Sequence, residues 1–299
     1  MEGLLVSTAP LMFASLGALI TDLSGTLGIF IEGFINAGAF FFWVFAEWTG
    51  SVFLGVLISA LLAAFTGWGL AFFVRVSGSN PFIAGLAANM ALSGLTNSLS
   101  TLWFGTKGVL RNSLLSASPL IGNVLSGQTA FVCAAWILFI SAFFVIGKTK
   151  FGFRLRASGS SPEACLERGI RPELYRETAW AAAAFLAALA GAALTFRVGA
   201  YTPGSAAGRG WIAIAAVYLG FRKVWGVAGA AMVFTIAERL SLGVQGLGSL
   251  PPSLLLGFPS ALALVLYAVS NSIKIRSTKI KSIKIKIRNF KLNRTVRRY

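Results

Sequence analysis

Glu32, Asn89, Thr96 and Arg209 are polar side chains set inside long apolar stretches of this chain. Polar and ionisable groups in such surroundings are costly, so each is a candidate for lining a solute path. A carboxylate, a carboxamide, a hydroxyl and a guanidinium can each hydrogen-bond a polar solute, or bond one helix to another. Asn89 and Thr96 stand two helical turns apart and so share one face. Their alternative role is helix-to-helix hydrogen bonding, and that of Glu32 is a structural bond or helix cap beside Gly33. Glu238 and Arg239 end an apolar stretch and read as a local or interfacial pair. A second group is concentrated rather than scattered. The stretch "LRASGSSPEACLERGI", residues 155–170, carries Arg156, Glu163, Glu167 and Arg168 between segments that are almost wholly apolar.

Other chemistry is excluded. The chain has no His and two Cys, Cys133 in an apolar run and Cys165 in the charged stretch. No ordinary zinc or haem site can be assembled from that set. Residues 147–149 spell Gly-Lys-Thr, but a phosphate-binding loop needs an earlier Gly, and Ala142 stands there. Nucleotide binding by this chain is not expected, and neither is any bound cofactor.

The elements that must position these residues follow from composition. Of 299 residues, 56% are hydrophobic and only 12% charged, with a mean hydropathy of +0.78. Soluble domains carry about 25% charged residues, and a bilayer crossing takes roughly 20 apolar ones. Apolar runs at 4–20, 27–46, 50–74, 82–104, 129–147, 177–198, 210–222, 224–241 and 252–272 predict an all-α polytopic membrane protein of eight to ten transmembrane helices. Segment 210–222 is too short to cross alone and is expected to be broken or re-entrant, with protein or water satisfying its backbone. No cleavable signal peptide is expected, because the first residues lack a basic region. Dense small residues at 180–194 and 226–234 suit close helix packing in lipid.

The net charge of +17 does not indicate nucleic acid. Eleven of the 26 basic residues follow Ser272, and seven more fall between Lys148 and Arg176. Basic segments beside spans mark the cytoplasmic side. The 148–176 stretch and the tail are therefore expected inside, and the N-terminus outside. Residues 1–272 are expected to form the transmembrane domain, with a cytoplasmic loop at 148–177. Residues 273–299 are expected to form a basic, disordered tail on the inner leaflet.

Within the loop, Ser161 suits an N-cap, Pro162 the first helical position and Glu163 the positive end of the helix dipole. Gly169 suits the left-handed residue after the last turn. A short helix over 162–168, bounded by Gly159 and Gly169, is expected. It serves either as a solvated connector or as a docking piece for a soluble partner.

The loop resembles the coupling loop of permeases in ABC importers for simple sugars, nucleosides and branched-chain amino acids, G-x-x-x-R-A-x-G-x-N-P-x-A-A-x-x-x-G-I. Gly152, Arg156, Ala157, Gly159, Pro162, Ala164, Gly169 and Ile170 match it, while Ser161 replaces Asn and Cys165 replaces Ala. Three further segments are similar to the family in the right order: "TAPLMFASLGALITDLSGTLGIFIEG", "NPFIAGLAANMALSGLT" and "GRGWIAIAAVYLG". Glu32 and Arg209 fall on family motif positions. Gly28 stands where the family usually has Asn, and Phe30 where it has Gly. The nucleoside-type subgroup is the nearest in pattern.

The resemblance implies one half of a translocation channel, completed by a second permease subunit, homologous or identical. Separate ATPase subunits, which use ATP and Mg, would grip Arg156, Gly159, Pro162, Glu163, Ala164, Arg168, Gly169 and Ile170 from the cytoplasm. A substrate-binding protein would deliver the solute from outside, and the assembly would sit in the bacterial inner membrane. Glu32, Asn89, Thr96 and Arg209 are the expected path residues, with Arg209 near the outer end. A nucleoside-like solute is expected, with riboflavin or a simple sugar as the alternative. A stand-alone secondary transporter would show internal repeats, and none is evident. An intramembrane enzyme would need clustered catalytic groups, and the membrane acids here are isolated.

Overall fold

The computed structural model describes residues 2–111 and 127–245. Ten helices are described: α1 Glu2–Leu23, α2 Ile31–Thr49, α3 Val52–Ser77, α4 Pro81–Phe104, α5 Gly127–Lys148, α6 Lys150–Ser160, α7 Pro162–Glu167, α8 Pro172–Val198, α9 Arg209–Leu219 and α10 Val224–Gln245. A two-residue antiparallel ladder joins β1 (Leu110–Arg111) to β2 (Ala200–Tyr201). Five of these helices, α1, α3, α5, α8 and α10, are long and apolar enough to cross a membrane. The architecture is an all-α, multi-pass membrane protein. The expected span 252–272 and the tail from 273 lie outside the described residues.

Helix ends follow local chemistry. Gly50, Gly78, Gly105 and Gly199 close α2, α3, α4 and α8 in the left-handed conformation. Proline opens α4, α7 and α8 at the first turn, where its missing N–H costs nothing. The expected run 27–46 starts later than its apolarity suggests, because 24–30 form a turn whose backbone bonds run from Ser24 to Ile31. Segment 148–177 is not a loop around one helix. It folds into α6 and α7, and α8 begins at Pro172 rather than at 177.

The core is organised around α8, whose Ala- and Gly-rich sequence lets three helices approach closely. A Cβ on Gly38 of α2 would lie 2.3 Å from Ala188 Cα, and one on Gly67 of α3 would lie 2.5 Å from Ala184 Cβ. From α1, Gly17 faces Ala183 in the same way. This is the small-residue packing that takes the place of hydrophobic burial in lipid. Thr195 adds a bond to Ala39 O at 3.3 Å, and Arg75 Nε of α3 lies 2.9 Å from Glu177 Oε1 of α8.

Two contacts fix which ends of the bundle coincide. At one end Ser7 of α1 accepts bonds from Arg197 of α8 and Arg239 of α10. At the other, the turn after α1 rests on α6, with a Cβ on Gly25 only 2.8 Å from Gly159 Cα. The start of α1 and the α6–α7 segment thus occupy opposite ends, as the charge distribution predicts.

The short helix α9 has 11 residues, about 16 Å of rise and so half a bilayer. Its start lies beside the first turns of α2 inside the bundle, and its end meets the foot of α1. A tight reversal leads into α10. Gly220 and Gly226 touch backbone to backbone, while Phe221 and Arg222 both take the left-handed conformation, with φ of 56° and 58°. For residues with a Cβ this is strained, by on the order of 1–3 kcal/mol each.

Candidate functional site

The segment from Asp22 to Gly33 carries Glu32 and meets two other candidates, Asn89 of α4 and Gly159 of α6. Asp22 ends α1 and is buried. Its carboxylate accepts from Arg222 Nε at 2.5 Å and from the Tyr218 hydroxyl at 3.3 Å, and its carbonyl accepts from Arg222 at 2.9 Å. The α9–α10 turn is therefore clamped to the foot of α1.

Gly25 follows, left-handed at φ +88°. It is pressed against Gly159 of α6, where any Cβ would meet Leu23 O at 2.3 Å and Gly25 N at 2.7 Å. Thr26 then accepts from Trp180 Nε1 of α8 at 2.8 Å, and Phe30 packs on the same indole, ring centres 4.5 Å apart.

Asn89 bonds two helices together. In an unbroken helix Gly33 N would donate to Ile29 O. Here the Asn89 carboxamide stands between them, its Oδ1 accepting from Gly33 N and its Nδ2 donating to Ile29 O, both at 2.6 Å. One rung at the start of α2 is replaced by a side chain of α4, which locks the two helices together. This is the helix-to-helix role, and it satisfies every polar atom in a buried place.

Glu32 takes the capping role, for a helix remote in sequence. Its two oxygens accept from Gly208 N at 2.7 Å and Gly210 N at 2.6 Å, at the start of α9. One turn on, Asn36 Oδ1 accepts from Ala206 N at 3.0 Å. A carboxylate at a helix N-terminus satisfies orphan N–H groups and faces the positive end of the dipole. Gly210 is glycine for a spatial reason, since its Cβ would lie 2.7 Å from Glu32 N. Arg209 bonds Ser205 O and Ala206 O and pairs with Glu238 of α10. It sits at the start of α9, beside Glu238 and toward the end of the bundle where Arg197 and Arg239 meet Ser7, while the other end of α9 meets the foot of α1. Glu238 and Arg239 are not a local pair, because Arg239 reaches Ser7 instead. Thr96 is buried and bonds to Ser93 O of its own helix at 3.0 Å.

The charged stretch resolves into an anchored helix and an exposed one. Arg156 bonds back to Gly152 O at 3.3 Å. Gly159 lies inside α6 and faces the protein rather than bounding the next helix. Ser161 links the two helices through its backbone, from its N–H to Ala157 O and from Cys165 N–H to its carbonyl. Its side chain makes no capping bond, since that geometry serves two helices at once. Pro162 opens α7 as expected. The helix ends at Glu167, one residue early, in a closed motif: Gly169 N donates to Leu166 O and Ile170 N to Cys165 O, both at 2.9 Å, with Gly169 at φ +71°. Cys165 is buried, while Glu163, Ala164, Leu166, Glu167 and Arg168 are exposed. The Gly-Lys-Thr triplet is the end of α5 and the N-cap of α6, where Thr149 Oγ1 accepts from Gly152 N, so it cradles no phosphate. Among the described residues no three His, Cys, Asp or Glu side chains are grouped to hold a metal.

Among the described residues no catalytic constellation results. The geometry is mechanical: a protruding helix, a backbone contact, and a junction bonded to α4, α8, α9 and the α9–α10 turn. A family profile described as "Branched-chain amino acid transport system / permease component" matches residues 1–269. The chain belongs to that permease family. Relatives include the nucleoside ABC transporter permease protein NupC of Lactococcus lactis, 26% identical over 286 residues, covering 89% of this chain and 90% of that protein. The guanosine ABC transporter permease protein NupQ of Bacillus subtilis is 28% identical, covering 83% and 82%. A putative glucose ABC transporter permease protein, TsgC13 of Haloferax volcanii, is 27% identical, covering 79% and 75%. No solved structure matches the chain.

The signals available in the permease sequence separate what was legible from what was not. The family motifs mark Glu32, Arg209, Gly159 and Gly169 directly. Asp22, Asn36 and Thr26 carry no local signature, since the side-chain bond that ties each to another helix or turn goes to a partner more than 150 residues away.

Proposed function

We propose that this permease is one half of the membrane channel of an ATP-driven importer that carries a nucleoside-like solute inward. The single observation that carries the reading is the α6–α7 knob. Its charged face, Glu163, Glu167 and Arg168, is exposed, while its other side is wedged by Gly159 against the α1–α2 turn. A rigid piece with one free face and one anchored face is what a soluble motor needs in order to push on buried helices.

The solute follows from two nucleoside-type relatives that each cover more than four-fifths of the chain. The glucose-type relative makes a simple sugar the second reading. ATP and Mg belong to separate ATPase subunits that dock on α7. A second permease chain completes the channel, a binding protein delivers solute outside, and the assembly lies in the bacterial inner membrane. The basic stretches face the cytoplasmic leaflet and bind no nucleic acid.

Reconstitution tests this. Vesicles holding the permease, its ATPase and its binding protein should accumulate radiolabelled guanosine only with Mg-ATP, and lose uptake when α7 is replaced by a flexible linker. Uptake that persists without ATP, or with α7 replaced, refutes the importer reading. Accumulation of glucose and not guanosine selects the sugar.

A further inference from the structure

We propose that the outer half of α4 is the water-facing wall of the solute path, and that Asn97, with Ser98 and Thr101, meets the solute's hydrogen-bonding edge. The argument begins with two neighbouring helices that are both poorly covered. α3 exposes Phe53, Leu57, Leu61, Phe65, Phe72 and Phe73. It is among the helices apolar enough to cross a membrane, so its bare face suits lipid. α4 is 24 residues long and also exposes large apolar side chains, Ile83, Met90 and Leu102 among them, but toward its outer end Asn97 and Ser98 are exposed beside them. In hydrocarbon an exposed amide without a partner costs several kcal/mol, so this end of the helix suits water.

The buried polar residues Asn89, Thr96 and Ser100 face the bundle, and Asn97 and Thr101 lie on another face. Ile83, Ala87, Met90, Gly94, Asn97 and Thr101 recur at intervals of three and four, one continuous face. Nothing lies within 4 Å of a Cβ placed on Gly94, and Met90 is 74% exposed. Along this face polarity rises toward the β-ladder end of the helix. The Asn97 side chain has no hydrogen-bond partner among the described residues, in contrast to Asn89 two turns below, whose donor and acceptor are both used. Thr101 bonds only to Asn97 O of its own helix, at 2.9 Å.

A cleft of about 700 Å³ opens over this end, lined by Asn97, Ser98, Thr101, Leu102, Lys107 and Pro203. Small-molecule sites run to roughly 300–1,000 Å³. Among the described residues the lining holds one cation and no acid, which suits a neutral or anionic solute and disfavours a cationic one. A carboxamide offers a donor and an acceptor side by side, the pattern that pairs with the amide- or amidine-like edge of a heterocyclic base. The solute class rests on the importer reading above, while the water-facing wall rests on α4 itself.

The test uses the assembled importer with Cys133→Ser and Cys165→Ser, adding Asn97→Cys on α4 or Phe65→Cys on α3. A membrane-impermeant, negatively charged methanethiosulfonate reagent should modify Asn97→Cys at least tenfold faster than Phe65→Cys, and guanosine should slow it. In otherwise native importer, Asn97→Leu should cut guanosine uptake at least tenfold with ATPase assembly intact, and Asn97→Gln should restore part of it. Equal inertness of the two cysteines overturns the proposal. So does oxidative cross-linking of Asn97→Cys between two permease chains without reagent labelling, which makes the face a permease–permease contact. Native importer that takes up no guanosine while Asn97→Cys still labels fast defeats the nucleoside reading and leaves the wall standing.

Discussion

The foot of the α1–α2 pair and the outer half of α4 are both polar places in an apolar bundle, and they differ in one respect. At the foot, Asp22, Glu32, Asn36 and Asn89 each have partners in another element. On outer α4, Asn97 has none among the described residues. A partnered polar group in lipid is a fastening, and its loss leaves the other half unsatisfied. An unpartnered one is available to water or solute. Type and location in sequence do not distinguish the two, as Asn89 and Asn97 on a single helix demonstrate.

Substitutions at the two regions break or sharpen this contrast. The largest effect is expected for Gly159→Leu, which forces side-chain atoms into the Leu23–Gly25 backbone. ATP-driven uptake in vesicles should fall to background with normal amounts of protein in the membrane, and uptake within twofold of native would remove α6 from the coupling route. Glu32→Ala comes next. It strips two bonds to a carboxylate, each about 1.5–3 kcal/mol, so the melting temperature in detergent should drop by roughly 5–10 °C. Asn89→Leu should cost about 1–3 kcal/mol by the same measurement, since two backbone groups lose their partner. Glu163→Gln with Arg168→Gln should weaken ATPase co-purification several-fold and leave the melting temperature alone, because both side chains are exposed and make no ion pair among the described residues. The smallest effect is expected for Asn97→Ala, within about 0.5 kcal/mol of native stability. If Asn97→Ala melts as far below native as Asn89→Leu, the distinction between fastening and free wall is wrong.

Much of this was legible in the sequence, for reasons that differ by residue. Apolar runs locate α1, α3, α5, α8 and α10 because lipid demands some 20 apolar residues in each. The short helix α9 was legible as too brief to cross. The capping role of Glu32 was visible as an alternative, but its recipient was not, because the start of α9 lies about 176 residues along the chain. Asn89 and Thr96 share a face, as helical spacing requires, yet spacing cannot report what the face meets. Arg209 was marked by its motif, but its partner Glu238 was not, because it lies 29 residues along the chain on another helix. Ser161 has the right type for a cap and lacks the bond, because one residue serves as the end of α6 and the start of α7.

The reversal after α9 has a mechanical consequence. Two successive residues are wound against their preferred hand there, and the clasp of Asp22 on Arg222 keeps them so. The turn therefore holds its strain against that clasp, and loosening the clasp would let the backbone relax. Phe221→Gly would ease the winding and toughen the protein, while leaving the clasp with less strain to hold.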